Sequence, residues 1–136
     1  MSEDCCDHSE DIIRAIHTNF WNENILSTGV YKSDQPISVN RLKILNLEQI
    51  AGIIKRDLGN DYVCMAKINV GDVVNSGAEL NSKLSVIPKS VNEVGKENPA
   101  HAEIIGKITD GIAKRLRKYS YQIFDINCNS VKDSSP

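Results

Sequence analysis

The sequence predicts an α+β fold: a single domain with about three helices packed on a small mixed or antiparallel sheet. Three segments place apolar residues at helical spacing. Several short apolar or alternating segments, separated by Gly, Pro and Asn residues, are typical of strands. These elements follow one another without regular βαβ repeats, and this mixture indicates the α+β class.

Length and composition are those of one ordinary domain. The chain has 136 residues, of which 40% are hydrophobic and 25% are charged, so a single hydrophobic core is expected. We assign residues 1–8 to a disordered acidic N-terminal arm, 9–128 to the domain, and 129–136 to a disordered polar C-terminal tail.

The first third of the chain predicts one helix and several short strands. Ser9, followed by two acidic residues, is a helix N-cap, and the helix is expected to extend to about Asn19. Its apolar stripe consists of Ile12, Ile13, Ile16 and Phe20. Short strands are predicted at 25–26, 29–31 and 37–39, because apolar residues are interrupted there by turn-forming residues.

A second helix is the best-defined element of the middle third. Asn46 and Gln49 have the spacing of a capping box, and Gly59 ends the helix. Its buried stripe consists of Leu47, Ile50, Ile54 and Leu58. A mostly buried strand is expected over 61–70, followed by a turn at 71–72 and a short helix or loop over 73–77.

The last third predicts two strands, a loop, a basic helix and a final strand. The strands cover 84–87 and 102–105, and a polar ordered loop joins them over 89–98. The stripe of the third helix consists of Ile105, Ile108, Ile112 and Leu116. The final strand is expected over 121–126, where apolar and polar residues alternate.

Charge and apolar patterning exclude several function classes. The formal net charge is −2, which implies no general affinity for nucleic acid or anionic membranes. The basic residues of the third helix, Lys114, Arg115, Arg117 and Lys118, are expected to be solvent-exposed at its C-terminal end, where the helix dipole favours cations. Direct DNA binding is therefore disfavoured. No membrane-spanning run or secretory signal is present, and we expect a cytoplasmic protein without membrane contact.

The cysteines and common motifs predict no metal and no cofactor. Cys5 and Cys6 are adjacent rather than two residues apart, and no second pair accompanies them, so neither a zinc site nor a disulfide framework is expected. The sequence has no P-loop, dinucleotide-binding, zincin or nucleophile-elbow motif.

The segment around His101 is the strongest candidate for a catalytic site. Pro99 restricts both its own backbone and that of Asn98, so His101 follows a stiff segment. Glu103 lies two residues on, which in a strand places both side chains on one face, where the carboxylate would orient the imidazole. The alternative is a structural histidine that fixes the loop to the core.

Further candidates lie in the first half of the chain. On a helix, Arg14 and His17 share a face and would bind a phosphate and a base, with His17 also a catalytic candidate. The alternative is a surface ion pair and a helix-capping histidine. Ser38 and Arg41 follow a proline turn and, with Arg14 and Asn98, are candidate ligand-binding residues; otherwise they are ordinary strand and surface residues.

These residues carry a resemblance to a known family. Arg14-Ala15-Ile16-His17, Ser38-Val39 and Asn98-Pro99-Ala100-His101 resemble the R-x-I-H, L-S-V and N-P-A-H pattern of a family of small uncharacterised bacterial proteins, over roughly 12–116. The resemblance implies a bacterial, cytoplasmic setting and one shared site, without a reaction. The order of an early Arg or His, a middle Ser and a late Glu is also loosely similar to ADP-ribosyltransferase folds.

Two functional hypotheses follow. The first is a small protein that binds a protein partner, as in a toxin–antitoxin or defence gene pair. The second is a nucleotide- or RNA-directed enzyme, ADP-ribosyltransferase-like or ribonuclease-like, in which His101 transfers a proton, Glu103 orients His101, and Arg14 or Arg41 holds phosphate. The scarcity of histidines and clustered acids favours the first.

Overall fold

The computed structural model describes residues 5–32 and 36–132, and they form one α+β domain built on a twisted antiparallel sheet. The strands are β1 (Asp11–His17), β2 (Trp21–Asn22), β3 (Ile25–Leu26), β4 (Ile37–Arg41), β5 (Tyr62–Asn69), β6 (Ser85–Pro88), β7 (His101–Ile105), β8 (Gln122–Asp125) and β9 (Ser130–Val131). The helices are α1 (Leu47–Leu58), α2 (Val70–Ala78) and α3 (Asp110–Lys118). The main sheet has the order β6-β7-β4-β1-β5-β8-β9, and β2 and β3 form a separate hairpin.

The predicted first helix is wrong, because this segment is the central strand β1. Its buried residues contact cores on both faces of the sheet: Ile12 and Ile16 belong to one apolar cluster, and Ile13 and Ala15 to the other. A strand that is apolar on both faces loses its two-residue alternation, and its isoleucines then imitate helical spacing. Beta-branched side chains favour the strand.

The helices lie on opposite faces of the sheet. Ile50, Ala51 and Ile54 of α1 pack on one face, in the cluster that contains Ile13 and Met65. The other face is covered by α2 and α3 in the larger cluster. The side of β4 and β7 that faces away from this larger cluster carries Ser38, Asn40, His101 and Glu103, because these residues alternate with Val39, Ala102 and Ile104 of the cluster.

Most other elements agree with the sequence prediction. The capping box of α1 is present, since the Gln49 amide N–H donates to Asn46 Oδ1 at 2.9 Å and the Asn46 amide N–H donates to Gln49 Oε1 at 3.0 Å. The predicted strand over 29–31 is instead part of a 3-10 helix, Thr28–Tyr31, with Ser27 as its N-cap. The helix α2 begins at Val70, without the predicted turn, because Asn69 caps it.

The described residues near both chain ends contact the main sheet. Cys6 is 2% exposed, and its amide N–H donates to the Val86 carbonyl at 2.8 Å. Cys6, which was assigned to the N-terminal arm, therefore contacts the sheet, whereas residues 1–4 lie outside the described residues. In the predicted tail, β9 pairs with β8, and residues 133–136 again lie outside the described range.

The centre of the sheet contains a local separation of two strands. β1 and β4 pair only at Ile12↔Arg41 and Ile13↔Asn40. Beyond these pairs, Arg14 Nη1 donates to the Ser38 carbonyl at 3.1 Å. If the β1–β4 pairing continued, this carbonyl would accept a main-chain N–H of β1 instead. This separation borders the cleft described below.

Candidate functional site

A cleft of about 550 Å³ lies between α1, the central strands and the loop 89–98. This volume falls within the range of about 300–1,000 Å³ that is usual for small-molecule sites. The residues that line it are Arg14, Ala15, Ser38, Asn40, Ile53, Ile54, Arg56, Asp57, Leu58, Tyr62, Val91, Lys96, Asn98 and His101. The cleft therefore combines an apolar wall from α1 with polar side chains from the sheet.

Arg14 is a partly buried cation whose side-chain contacts are with main-chain carbonyls. Its Nε donates to the Val30 carbonyl at 3.0 Å and its Nη1 to the Ser38 carbonyl at 3.1 Å. Burial lowers the pKa of the Arg14 guanidinium, while Tyr31 and Tyr62 oppose this shift. In the described part of the chain, no carboxylate forms an ion pair with Arg14. Three of its five N–H groups are without an acceptor there.

His101 is oriented by the main chain rather than by a carboxylate. Its Nδ1 lies 2.9 Å from the Lys89 carbonyl oxygen, and because that oxygen only accepts, Nδ1 carries the proton. The Nε2 of the neutral ring is then an acceptor. Glu103 was expected to orient His101, but the Lys89 carbonyl has this role, and Glu103 does not line the cleft.

Asn98 fixes the segment that leads to His101. Its main-chain N–H and carbonyl both bond to Val91, at 2.8 and 2.9 Å. Its side-chain Oδ1 accepts from the Ala100 N–H at 3.1 Å, which forms an Asx turn, and its Nδ2 donates to Asn40 Oδ1 at 2.7 Å. The stiffness that Pro99 predicts is thus produced largely by Asn98.

The rim of the cleft is positively charged overall. Arg56 forms two hydrogen bonds with Asp57, at 2.8 and 3.0 Å, and the guanidinium holds the pKa of the Asp57 carboxyl below its ordinary value. Lys96 is exposed, and its Nζ lies 4.0 Å from Oε2 of Glu93. With Arg14, three cations and one carboxylate line the cleft, and this balance favours an anionic ligand.

The structure brings four of the predicted site residues to the cleft and leaves three outside. Arg14, Ser38, Asn98 and His101 line it. His17, Arg41 and Glu103 do not. The grouping at one cleft arises because β1, β4 and β7 are neighbours in the sheet, although they are far apart in the sequence.

Arg41, a predicted ligand-binding residue, is engaged in a structural ion pair. Its Nε and Nη2 donate to the two carboxylate oxygens of Glu10 at 2.8 and 3.0 Å. The side chains of Arg41 and Glu10 are 15% and 4% exposed. This bidentate pair raises the pKa of Arg41 and occupies the fork that a phosphate would need.

His17 lies next to the cleft without lining it. Its Nδ1 accepts from the Asn19 N–H at 3.0 Å and caps the short 3-10 helix Thr18–Phe20. Its ring packs edge-on against Tyr62, with the ring centroids 5.1 Å apart. Because Tyr62 is a lining residue, His17 contacts the site through it. The helical face that Arg14 and His17 were predicted to share does not exist, because β1 is a strand.

No family model matches the chain, and neither curated proteins nor solved structures give a match. The resemblance to small bacterial proteins therefore stays a prediction, and function is argued from the cleft. Within residues 5–32 and 36–132, no three His, Cys, Asp or Glu side chains cluster as metal ligands. No helix in the same ranges has the length and hydrophobicity that crossing a bilayer requires.

Two kinds of lining residue were not predicted as site residues. Asn40 was not among the predicted site residues, and its importance depends on a hydrogen bond with Asn98, 58 positions away. The apolar wall of Ile53, Leu58 and Tyr62 carries no local signal, because apolar residues of helices and strands normally belong to the core. Leu58 was predicted to be buried in the stripe of α1 but is 47% exposed and lines the cleft, which only the structure shows.

Proposed function

We propose that the protein binds a nucleotide, a phosphate-bearing ligand with a planar base, in this cleft. The observation that carries the proposal is that Arg14 is partly buried and has hydrogen bonds only to main-chain carbonyls. A guanidinium that is partly buried and bonded only to carbonyls keeps its full charge, and desolvation makes that charge costly. A phosphate would compensate it with charge-assisted hydrogen bonds, which arginine makes in a bidentate manner.

The rest of the cleft supports a ligand with an apolar or aromatic part. Ile53 and Leu58 of α1 and Tyr62 of β5 add apolar and aromatic surface to the lining. A base would bury its face against such a wall and keep its polar edge towards the sheet. The exposed cations Arg56 and Lys96 add positive charge at the rim, which raises the local concentration of anions.

The proposal is tested by calorimetric titration with inorganic phosphate and with the monophosphates of adenosine, guanosine, uridine and cytidine. We expect at least one nucleotide to bind more tightly than phosphate, because it also contacts the apolar wall. Arg14→Lys keeps the charge and loses the fork, and we expect affinity to fall about tenfold, which corresponds to about 1.4 kcal/mol.

The matched control is Arg117→Lys, an arginine of α3 whose Nε also donates to a main-chain carbonyl, that of Leu26. It lies away from the cleft, so this variant reports the general effect of losing such an arginine. Thermal unfolding of both variants checks that they are folded. If the wild type binds no nucleotide at millimolar concentration, the proposal is wrong.

A second candidate function, chemical conversion of the bound nucleotide or RNA, is favoured by the contact of His101 with Lys89. The fixed Nδ1 proton leaves Nε2 able to accept a proton from a water or a ribose hydroxyl. Ribonuclease-like chemistry fits better than ADP-ribosyl transfer, since Glu103 is not a lining residue. Incubation of short RNAs with wild type and His101→Ala, followed by product analysis, tests it, and equal product from both would exclude His101.

Binding of a protein partner, the hypothesis preferred on sequence, stays a prediction, as do the bacterial and cytoplasmic setting. The cleft supports the nucleotide hypothesis more directly, because its volume suits a small molecule and its net positive charge suits an anionic one.

A further inference from the structure

Asn40 is a buried amide with one half of its hydrogen-bonding capacity unused. The residue is 9% exposed and lines the cleft. Its Oδ1 accepts from Asn98 Nδ2 at 2.7 Å. Across the described part of the chain, its Nδ2 group has no acceptor. An unpaired buried donor costs about 1–3 kcal/mol, so its presence beside a cleft needs an explanation.

The orientation of the Asn40 amide is decided by a main-chain group. The Ala100 N–H only donates, so the side-chain atom of Asn98 that it contacts at 3.1 Å must be the oxygen. The Nδ2 of Asn98 therefore faces Asn40 and donates a hydrogen bond, which Asn40 accepts with its Oδ1. Rotating the Asn40 amide by 180° would bring two NH₂ groups together, so its own NH₂ group is directed away from Asn98.

His101 supplies the complementary group on the neighbouring strand. Asn40 and His101 are directly paired in the register of β4 and β7. Paired residues have Cβ atoms about 4.5–5.5 Å apart and share a face of the sheet. The Lys89 carbonyl holds the Nδ1 proton of His101, so Nε2 is an acceptor in the neutral ring. A donor and an acceptor of fixed identity thus belong to two paired residues that both line the cleft.

We propose that Asn40 and His101 form a hydrogen-bonding subsite that reads a ligand group carrying an acceptor next to an N–H or O–H donor. This inference rests on the proposed nucleotide-binding function and adds its specificity. Two parts of a nucleotide have this chemistry: the lactam edge of guanine or uracil, and the adjacent hydroxyls of ribose. A ligand without this pair of groups would leave the Asn40 NH₂ group without an acceptor, and it would therefore bind more weakly than one that has them.

The distinguishing variant is Asn40→Asp. The aspartate keeps an oxygen for Asn98 Nδ2 and places a second oxygen where the donor was, with almost no change of shape. Because it also adds a negative charge, the matched control is Ser38→Asp, which adds the same charge on the same strand, the same face and the same cleft. The difference between the two variants isolates the lost donor.

Dissociation constants of the two variants are measured with the nucleotide that binds wild type best and with inorganic phosphate. We expect Asn40→Asp to bind the nucleotide at least about tenfold more weakly than Ser38→Asp does, the usual effect of a lost buried hydrogen bond. Inorganic phosphate, which lacks the paired group, is expected to bind both variants equally. Thermal unfolding checks that both are folded.

Ligand analogues then identify the group that is read. If the tenfold gap disappears with the 2′-deoxynucleotide, the subsite reads ribose, and if it disappears when the lactam edge is absent, the subsite reads the base. A nucleotide that binds wild type but shows no gap between the variants overturns the subsite and leaves the proposed function standing. Failure of every nucleotide to bind wild type overturns both.

Discussion

At the scale of single residues, the Glu10–Arg41 pair shows how a structural ion pair removes a residue from the candidate site. Arg41 has the residue type and position of a phosphate ligand, and sequence reasoning placed it in the site. Its fork is instead satisfied by a carboxylate that is 4% exposed. Arg14 has the same side chain and no carboxylate partner in the described ranges. The difference depends on long-range neighbours, so the sequence cannot supply it.

We expect Glu10→Ala to lower the free energy of unfolding by about 1–3 kcal/mol, because it leaves the partly buried Arg41 charge without a partner. Urea denaturation measures this change. The control is Lys43→Ala, which removes the partner of Asp7 from a pair whose side chains are 53% and 62% exposed, and should cost about 0–1 kcal/mol. Similar losses in both variants would contradict the structural role of Glu10.

At the scale of elements, agreement with the sequence depends on whether an element is defined locally. The bounds of α1 were predicted correctly because its cap and its terminal glycine are local signals, and Gly59 has a φ of 79° that favours glycine. Its predicted buried stripe is wrong at Leu58, which is exposed. β1 was mistaken for a helix because its residues are apolar on both faces, which only the completed sheet explains. The cleft combines the two cases: Arg14, Ser38 and His101 were predicted as site residues, whereas Asn40 and the apolar wall were not.

The capping box of α1 gives a prediction at this scale. Asn46→Ala removes the acceptor for the Gln49 amide N–H and should cost about 1 kcal/mol of unfolding free energy. Gln49→Ala removes the reciprocal bond. Because the two bonds share one local geometry, the double variant should cost less than the sum of the single variants. Strict additivity in urea denaturation would show that the two bonds act independently.

At the scale of the whole molecule, the core contains several weak acids that folding keeps protonated. Burial raises the pKa of the Cys6 and Cys64 thiols from 9.0 to about 11 and that of the fully buried Tyr31 from 10.0 to about 12. Each folded-state pKa lies above its unfolded value. The corresponding stability is therefore complete below about pH 9 and is lost as the pH rises through about 11 to 12.

We expect the free energy of unfolding to fall steadily between about pH 9 and 11, with each buried thiol contributing up to about 1.4 kcal/mol per pH unit. Urea denaturation at a series of pH values measures the slope. Cys64→Ala lowers stability at every pH through lost packing, and it should also make the slope shallower because one titrating group is gone. An unchanged slope would contradict the assignment of Cys64.

The N-terminal segment has a consequence for the sheet as a whole. β6 is the outermost strand on its side of the sheet, and an outermost strand offers unpaired main-chain groups to other molecules. Here the Cys6 N–H donates to the Val86 carbonyl, and Pro88 has no N–H that could donate to another strand. Removing the residues up to and including Cys6, which keeps the Glu10–Arg41 pair, would open this edge as a template for strand addition between molecules, so such shortened versions of the protein should self-associate through β6.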